Sequence, residues 1–123
     1  MTENPGAALQ IALAYYEAWT SQDLEQAMTY IADDIVCDAP AGRIEGAGAY
    51  RAFVAPLVQM LTGARMIAAF GDDDTALVMY DAQTVPVPSA PGAECVTVRA
   101  GKIAHSRFVF DRAPFDAARR AAT

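Results

Sequence analysis

Residues 65–83 read RMIAAFGDDDTALVMYDAQ, and the change of rhythm within them decides the fold class. The side chains suit extended chain from Arg65 to Phe70 and again from Thr75 to Val85, while Gly71-Asp72-Asp73-Asp74 between them is a run of turn formers. Two strands therefore meet at a tight corner. The same logic repeats downstream: a Pro/Gly loop covers Pro86 to Gly92, a strand runs from Glu94 to Arg99, and Ala100-Gly101 turns it into a last strand, Lys102 to Asp111. Four antiparallel strands are expected to close the chain.

Before Gly63 the spacing is helical. Asn4-Pro5 is a cap-then-proline start, followed by Ala8, Ala12, Tyr15, Tyr16 and Trp19 on one side. Asp23 with Gln26 resembles a capping box, and Leu24, Ala27, Met28 and Ile31 repeat the stripe of a second, shorter helix that Asp33-Asp34 is expected to end. A short strand is predicted over Ile35 to Asp38, broken by Ala39-Pro40-Ala41-Gly42. A third helix starts at Ala47 and carries Tyr50, Phe53, Val54, Leu57 and Leu61, with Pro56 expected to kink or split it. Helices first and meandering strands after them belong to the α+β class, with the helices packed on one face of the sheet.

The chain has 123 residues, 54% of them hydrophobic and 20% charged, a balance that suits one globular domain spanning 1–123 and excludes intrinsic disorder. The net charge is -6, and the nine Lys+Arg form no stripe able to neutralise a row of phosphates, which argues against nucleic acid as a partner. No apolar run reaches membrane-spanning length, and the opening residues lack a basic start and an unbroken apolar core, so no membrane partner and a cytoplasmic location are expected. Cys37 and Cys95 form no CxxC pair, and the single His105 does not complete a zinc set with them. No phosphate-cradling glycine loop is present either, so neither a metal nor a cofactor is expected. The cysteines read as buried reduced thiols, with a catalytic thiol as the lesser alternative. Asp72-Asp73-Asp74 reads as a solvated turn rather than a cation site.

Alternation sorts the strand side chains. Leu77, Met79, Asp81 and Gln83 share one face, Ala76, Val78, Tyr80 and Ala82 the other, and neither reads as plain solvent. Glu94, Val96 and Val98 stand together, while Ala104, Ser106, Phe108 and Phe110 oppose His105, Arg107 and Val109. The aromatic set is expected on the concave, helix-covered side.

The order and spacing of Tyr15-Tyr16-Glu17-Ala18-Trp19, Asp23-Leu24, Tyr30-Ile31-Ala32-Asp33-Asp34, Ala39-Pro40-Ala41-Gly42-Arg43-Ile44-Glu45-Gly46 and Gly101-Lys102-Ile103 resemble the SnoaL-like, ketosteroid-isomerase-like superfamily, also called nuclear transport factor 2-like. The resemblance covers nearly the whole chain. It implies a cone-shaped fold, a strongly curved, mainly antiparallel sheet wrapped over N-terminal helices, a deep pocket, and homodimers through the outer sheet face. Members include isomerases, polyketide cyclases, dehydratases and epoxide hydrolases, so the fold alone does not fix the chemistry.

Comparison with ketosteroid isomerase puts Tyr15 where that family has its oxyanion-stabilising tyrosine and Glu94 close to its protonated aspartic acid. The position of the family's general base falls on Ala39, with Asp38 one residue early, on the opposite face unless a bulge intervenes. Asp81 is expected to point into the same cavity. Trp19, Cys37, Phe53, Met79, Phe108 and Phe110 are expected to line it. Tyr50, Leu57, Asp38 and Gln83 complete the expected substrate contacts. Two carboxyls enclosed together do not both ionise easily, so one is expected to keep a proton near neutrality.

The reaction this arrangement suits is proton transfer at a carbon next to a carbonyl, or an equivalent dehydration or ring opening. Asp81 is then the base, while Tyr15 and protonated Glu94 hold the oxyanion. The substrate expected is small, apolar or aromatic, and oxygen-bearing. The rival is a non-catalytic binding protein for a lipophilic metabolite, or a dimeric accessory domain; Tyr15 and Trp19 serve equally as plain core, and Asp81 as a structural hydrogen-bonder.

Overall fold

The second half of the chain is extended, as the alternation predicts, and the computed structural model, which describes residues 6–122, joins its strands to two earlier ones in a single sheet. The elements run α1 (Ala7–Thr20), α2 (Leu24–Met28), β1 (Ile31–Ala39), β2 (Gly42–Glu45), α3 (Ala47–Met60), β3 (Leu61–Gly71), β4 (Thr75–Thr84), β5 (Ala90–Arg99), β6 (Lys102–Phe110) and α4 (Ala113–Ala122). The sheet order is β2-β1-β6-β5-β4-β3. Only β1 and β6 pair in parallel; the other four ladders are antiparallel. Register shifts in β1·β6, β3·β4 and β5·β6 are the bulges that bend strands and curve a sheet. The predicted Asn4-Pro5 helix start lies outside the described residues.

What opens α1 within the described residues is the Asp-rich turn. Gly6, at φ 94, brings its backbone so close to Asp72 that an added Cβ would lie 2.2 Å from the Asp72 carbonyl carbon. Ala8 and Leu9 donate their N–H groups to the Asp72 carbonyl at 3.1 and 3.4 Å, and Ala7 donates to Asp73 Oδ1 at 3.0 Å. These are helix-start donors that would otherwise need water. Asp72 in turn accepts the N–H groups of Asp74 and Thr75, which hold its carboxyl below the usual range.

Several sequence expectations shift. The second helix ends at Met28, and Ile31 begins β1 instead of extending the helical stripe. Asp33-Asp34 lies inside β1, both side chains exposed, in the stretch where the register with β6 slips between Ile31 and Val36. A strand, β2, occupies Gly42–Glu45, beginning at the end of the expected break over Ala39-Pro40-Ala41-Gly42, and Ala39 itself still belongs to β1. Pro56 does not split α3. The carbonyl it deprives of a donor belongs to Ala52, and both residues are exposed, so solvent can satisfy that group without breaking the helix. Pro91 and Gly92 belong to β5, which leaves residues 85–89 as the connection.

The core lies between the helices and the concave face of the sheet. Helix α1 buries Ala8, Ala12, Tyr15, Ala18 and Trp19, and α3 buries Tyr50, Val54 and Val58. Trp19 meets Tyr80 edge-on at 5.0 Å and Tyr16 at 5.5 Å. Each such pair adds about 0.5–1.5 kcal/mol beyond the burial itself. Among the described residues no helix is long and apolar enough to cross a membrane.

Candidate functional site

One polar cluster is embedded in this core. It forms because β5 turns Glu94 inward between helix-facing neighbours, β6 turns Ser106 to the same side, and α1 and α3 each aim a tyrosine at the sheet. Ser106 Oγ donates to Glu94 Oε2 at 2.5 Å, and the Tyr50 hydroxyl donates to the same oxygen at 3.0 Å. Tyr15 and Tyr50 join their hydroxyls at 2.6 Å. A phenol has one proton, and that of Tyr50 is committed to Glu94, so Tyr15 must be the donor to Tyr50. The chain therefore runs Tyr15 to Tyr50 to Glu94, with Ser106 converging on its end.

Burial sets the electrostatics. Glu94 is 5% exposed, and desolvation pushes its carboxyl above the usual range while the Ser106 and Tyr50 hydrogen bonds pull the other way. The same burial, followed by the nearby Glu94, raises Tyr15, Tyr50 and Tyr80 well above an ordinary phenol. Cys37 is pushed up to about 11, chiefly by burial, so it stays a thiol and has no nucleophilic character near neutrality.

Beside the cluster lies an apolar cavity of about 160 Å³. Phe53, Leu57 and Met60 of α3 form one wall, and Tyr80, Ala82, Ala90, Phe108 and Phe110 of the sheet form the other. The aromatic rings follow one another edge to face: Phe53 to Phe108 at 5.8 Å, Phe108 to Phe110 at 5.4 Å, and Phe110 to Phe115 of α4 at 5.9 Å. Arg112, Asp116 and Arg119 border the space where α4 lies over it. Of the Pro86 to Gly92 stretch only Ala90 and Gly92, both on β5, line the cavity, and the cover on this side comes from α4.

The polar cluster does not open into this cavity. Glu94 and Tyr15 border a separate space of about 10 Å³ between α1 and the sheet, together with Tyr16, Trp19, Val78 and Val96. Tyr80 lines both spaces. Its hydroxyl is buried and has no hydrogen-bond partner among the described residues. The glycine at 92 leaves room for it: a Cβ there would stand 3.1 Å from the Tyr80 oxygen.

The structure thus brings together Tyr15, Tyr50 and Glu94, with Trp19 and Cys37 buried nearby, and gathers Phe53, Leu57, Phe108 and Phe110 around the cavity. It separates four others from both. Asp81, Met79 and Gln83 lie on the outer face of β4, because burial falls on Ala76, Val78, Tyr80 and Ala82. Asp81 accepts from Ser89 Oγ at 3.0 Å and meets no member of the cluster. Asp38 also faces outward, where His105, Arg43 and Arg107 surround it at 2.9, 3.1 and 3.4 Å and hold its carboxyl below the usual range. The bulge in β1 precedes Val36, so it leaves Cys37 inward and Asp38 outward. Tyr80, Met60 and the α4 residues were missed as site residues. For Tyr80 the signal was there, since it shares a face with Ala76, Val78 and Ala82; for α4 only Arg119-Arg120 hinted at a last helical turn.

A family model described as a SnoaL-like domain matches residues 12–106. A crystal structure of a protein from Kribbella flavida DSM 17836 is 55% identical, with a TM-score of 0.91 over 94% of this chain and 96% of that one. An NTF2-like protein from Mesorhizobium loti superimposes with a TM-score of 0.77 at 16% identity, over 90% of this chain and 97% of that one. A candidate polyketide cyclase from Sinorhizobium meliloti gives 0.70 at 20% identity, over 81% and 94%. No curated protein matches the chain.

Proposed function

The chain belongs to the SnoaL-like domain family, and we propose that it binds a small, largely apolar molecule about one aromatic ring in size in the cavity between α3 and the sheet. The observation that carries this reading is the cavity itself, about 160 Å³ walled by Phe53, Leu57, Tyr80, Phe108 and Phe110. An apolar cavity of roughly 150 Å³ is enough to take up benzene. The fold shared with the Sinorhizobium meliloti protein supports a pocket and says nothing of its chemistry. Titration with neutral single-ring molecules such as toluene, phenol and indole tests it. The backbone resonances of Phe53, Phe108 and Phe110 should move in wild type and stay fixed in Ala90→Phe, where the new ring fills the space. Movement confined to other residues, or equal in the variant, rejects the cavity.

A second reading, acid catalysis, is favoured by Glu94. Burial favours the protonated form of this carboxyl, and in that form it is suited to donating to an oxygen that gains charge, as in isomerase, cyclase, dehydratase or hydrolase chemistry. Tyr80 is the shared wall between this acid and the ligand, and its unpartnered hydroxyl is the group a bound carbonyl would meet first. Asp81 has no part in it. A carbonyl-bearing ring should then shift the Tyr80 and Glu94 side-chain resonances together; a ligand that moves neither makes the protein a binder alone.

The outer face of the sheet is proposed to receive a second copy of the chain. Leu77, Met79 and Val109 are 46%, 43% and 53% exposed, and the ladders align Met79 with Ala93 and Val109 across three strands. An apolar patch of this kind on a sheet, rimmed by the charged Asp38 group, is what an interface needs.

A further inference from the structure

We propose that the ligand carries an anionic group, a carboxylate in the simplest case, held at the mouth of the cavity by Arg112 while its ring fills the space behind. This rests on the cavity reading above. The interior wall is apolar apart from the Tyr80 hydroxyl, and the charge is concentrated at the mouth, where Arg112, Asp116 and Arg119 border the opening. Asp116 and Arg119 satisfy one another as an i,i+3 ion pair on α4. Asp111, next in sequence, does not line the cavity and accepts the Ala113 N–H at 3.0 Å. Arg112 makes no ion pair among the described residues, so one positive charge is left uncompensated at the opening of an oily space.

That charge stands out in a chain whose net charge is -6 with only nine Lys+Arg. A general attraction for anions is therefore absent, and any preference has to come from this place. Arg112 is also held there from both sides: it follows the end of β6, and its carbonyl accepts the Asp116 N–H at 2.9 Å in the first turn of α4, which Phe115 pins to Phe110. A guanidinium offers a planar fork that matches a carboxylate. A cationic ligand would meet it with repulsion, and a fully neutral one would leave it unused.

Phenylacetate and phenylacetamide, equal in shape and different in charge, test the inference by backbone amide shifts. Phenylacetate should bind about two- to fivefold more tightly at ~20 mM salt, the scale of an ion pair at an exposed rim. The ratio should fall toward one in ~0.5 M salt and in Arg112→Gln. Equal affinities in wild type, or a ratio that Arg112→Gln leaves unchanged, overturn the anionic ligand while the cavity stands. If neither probe shifts Phe53 and Phe108, the cavity reading falls and this inference falls with it.

Discussion

Replacing Tyr50 with Phe deletes one oxygen atom and should expose how the buried cluster is wired. Because Tyr50 donates to Glu94 and receives from Tyr15, the variant removes a donor from the carboxyl and strands the Tyr15 O–H in a dry site. A buried hydrogen bond contributes about 1 kcal/mol net, and an orphaned buried donor costs about 1–3 kcal/mol, so the loss should be about 2–3 kcal/mol. Tyr15→Phe removes only the far end of the chain and leaves an acceptor short, for about 1 kcal/mol. With 123 residues, and about 2.1 cal/mol/K of unfolding entropy each, 1 kcal/mol corresponds to roughly 4 °C in Tm. The two variants should therefore separate by some 4–8 °C. Urea unfolding at constant m checks the free energies. The decisive measurement is the double variant: once Tyr50 is Phe, removing the Tyr15 hydroxyl relieves the stranded donor, so the pair should cost less than the sum of the singles. A Tyr50→Phe variant no worse than Tyr15→Phe, or strict additivity, would show that the donors do not run in this order.

Glu94→Gln keeps an acceptor for Ser106 and Tyr50 and removes the titration. Since burial raises the folded-state pKa of Glu94, wild-type stability from this group is complete below the unfolded value of about 4.3 and is lost as pH rises through the folded value. Thermal scans should show the variant gaining on wild type across that window, and parallel curves would refute the assignment. Asp81→Asn should change stability by less than about 0.5 kcal/mol in urea and leave ligand shifts intact, because the side chain faces outward; a lost ligand response would return Asp81 to the site. Leu77→Lys should convert a dimer to a monomer in light scattering, and an unchanged mass would remove the outer face as the interface.

The second half of the chain was legible because period-two alternation and turn formers depend on neighbours alone; the hairpins at residues 71–74 and 100–101 stand where they were read. The inward positions of Ser106 and Phe108 followed from the same parity, and that of Glu94 from the resemblance to ketosteroid isomerase. For β4 parity was right and polarity failed: Leu77 and Met79 are as apolar as Val78, so the outward face carried no mark of solvent, and Asp81 was assigned to the wrong side. Asp33-Asp34 looked like a stop because a bulged strand places consecutive polar residues outward, which a strict alternation does not allow. The role of α4 was hidden for another reason. Its cover over the cavity depends on one ring contact, between Phe115 and Phe110, that no local pattern announces.

The corner at Asp72 and Asp73 ties the first helix to a partner 66 positions later. During synthesis the opening amides of α1 emerge well before the groups that will accept their protons, and closing so long a loop has an entropic cost that the local helix cannot offset by itself. Hydrogen exchange on a refolding chain should thus show the amides of Ala7, Ala8 and Leu9 gaining protection only when the β3–β4 hairpin does. The opening turn of α1 therefore settles no earlier than that distant corner, and a damaged corner should leave these three amides exchanging as though unfolded while the remaining strands stay closed.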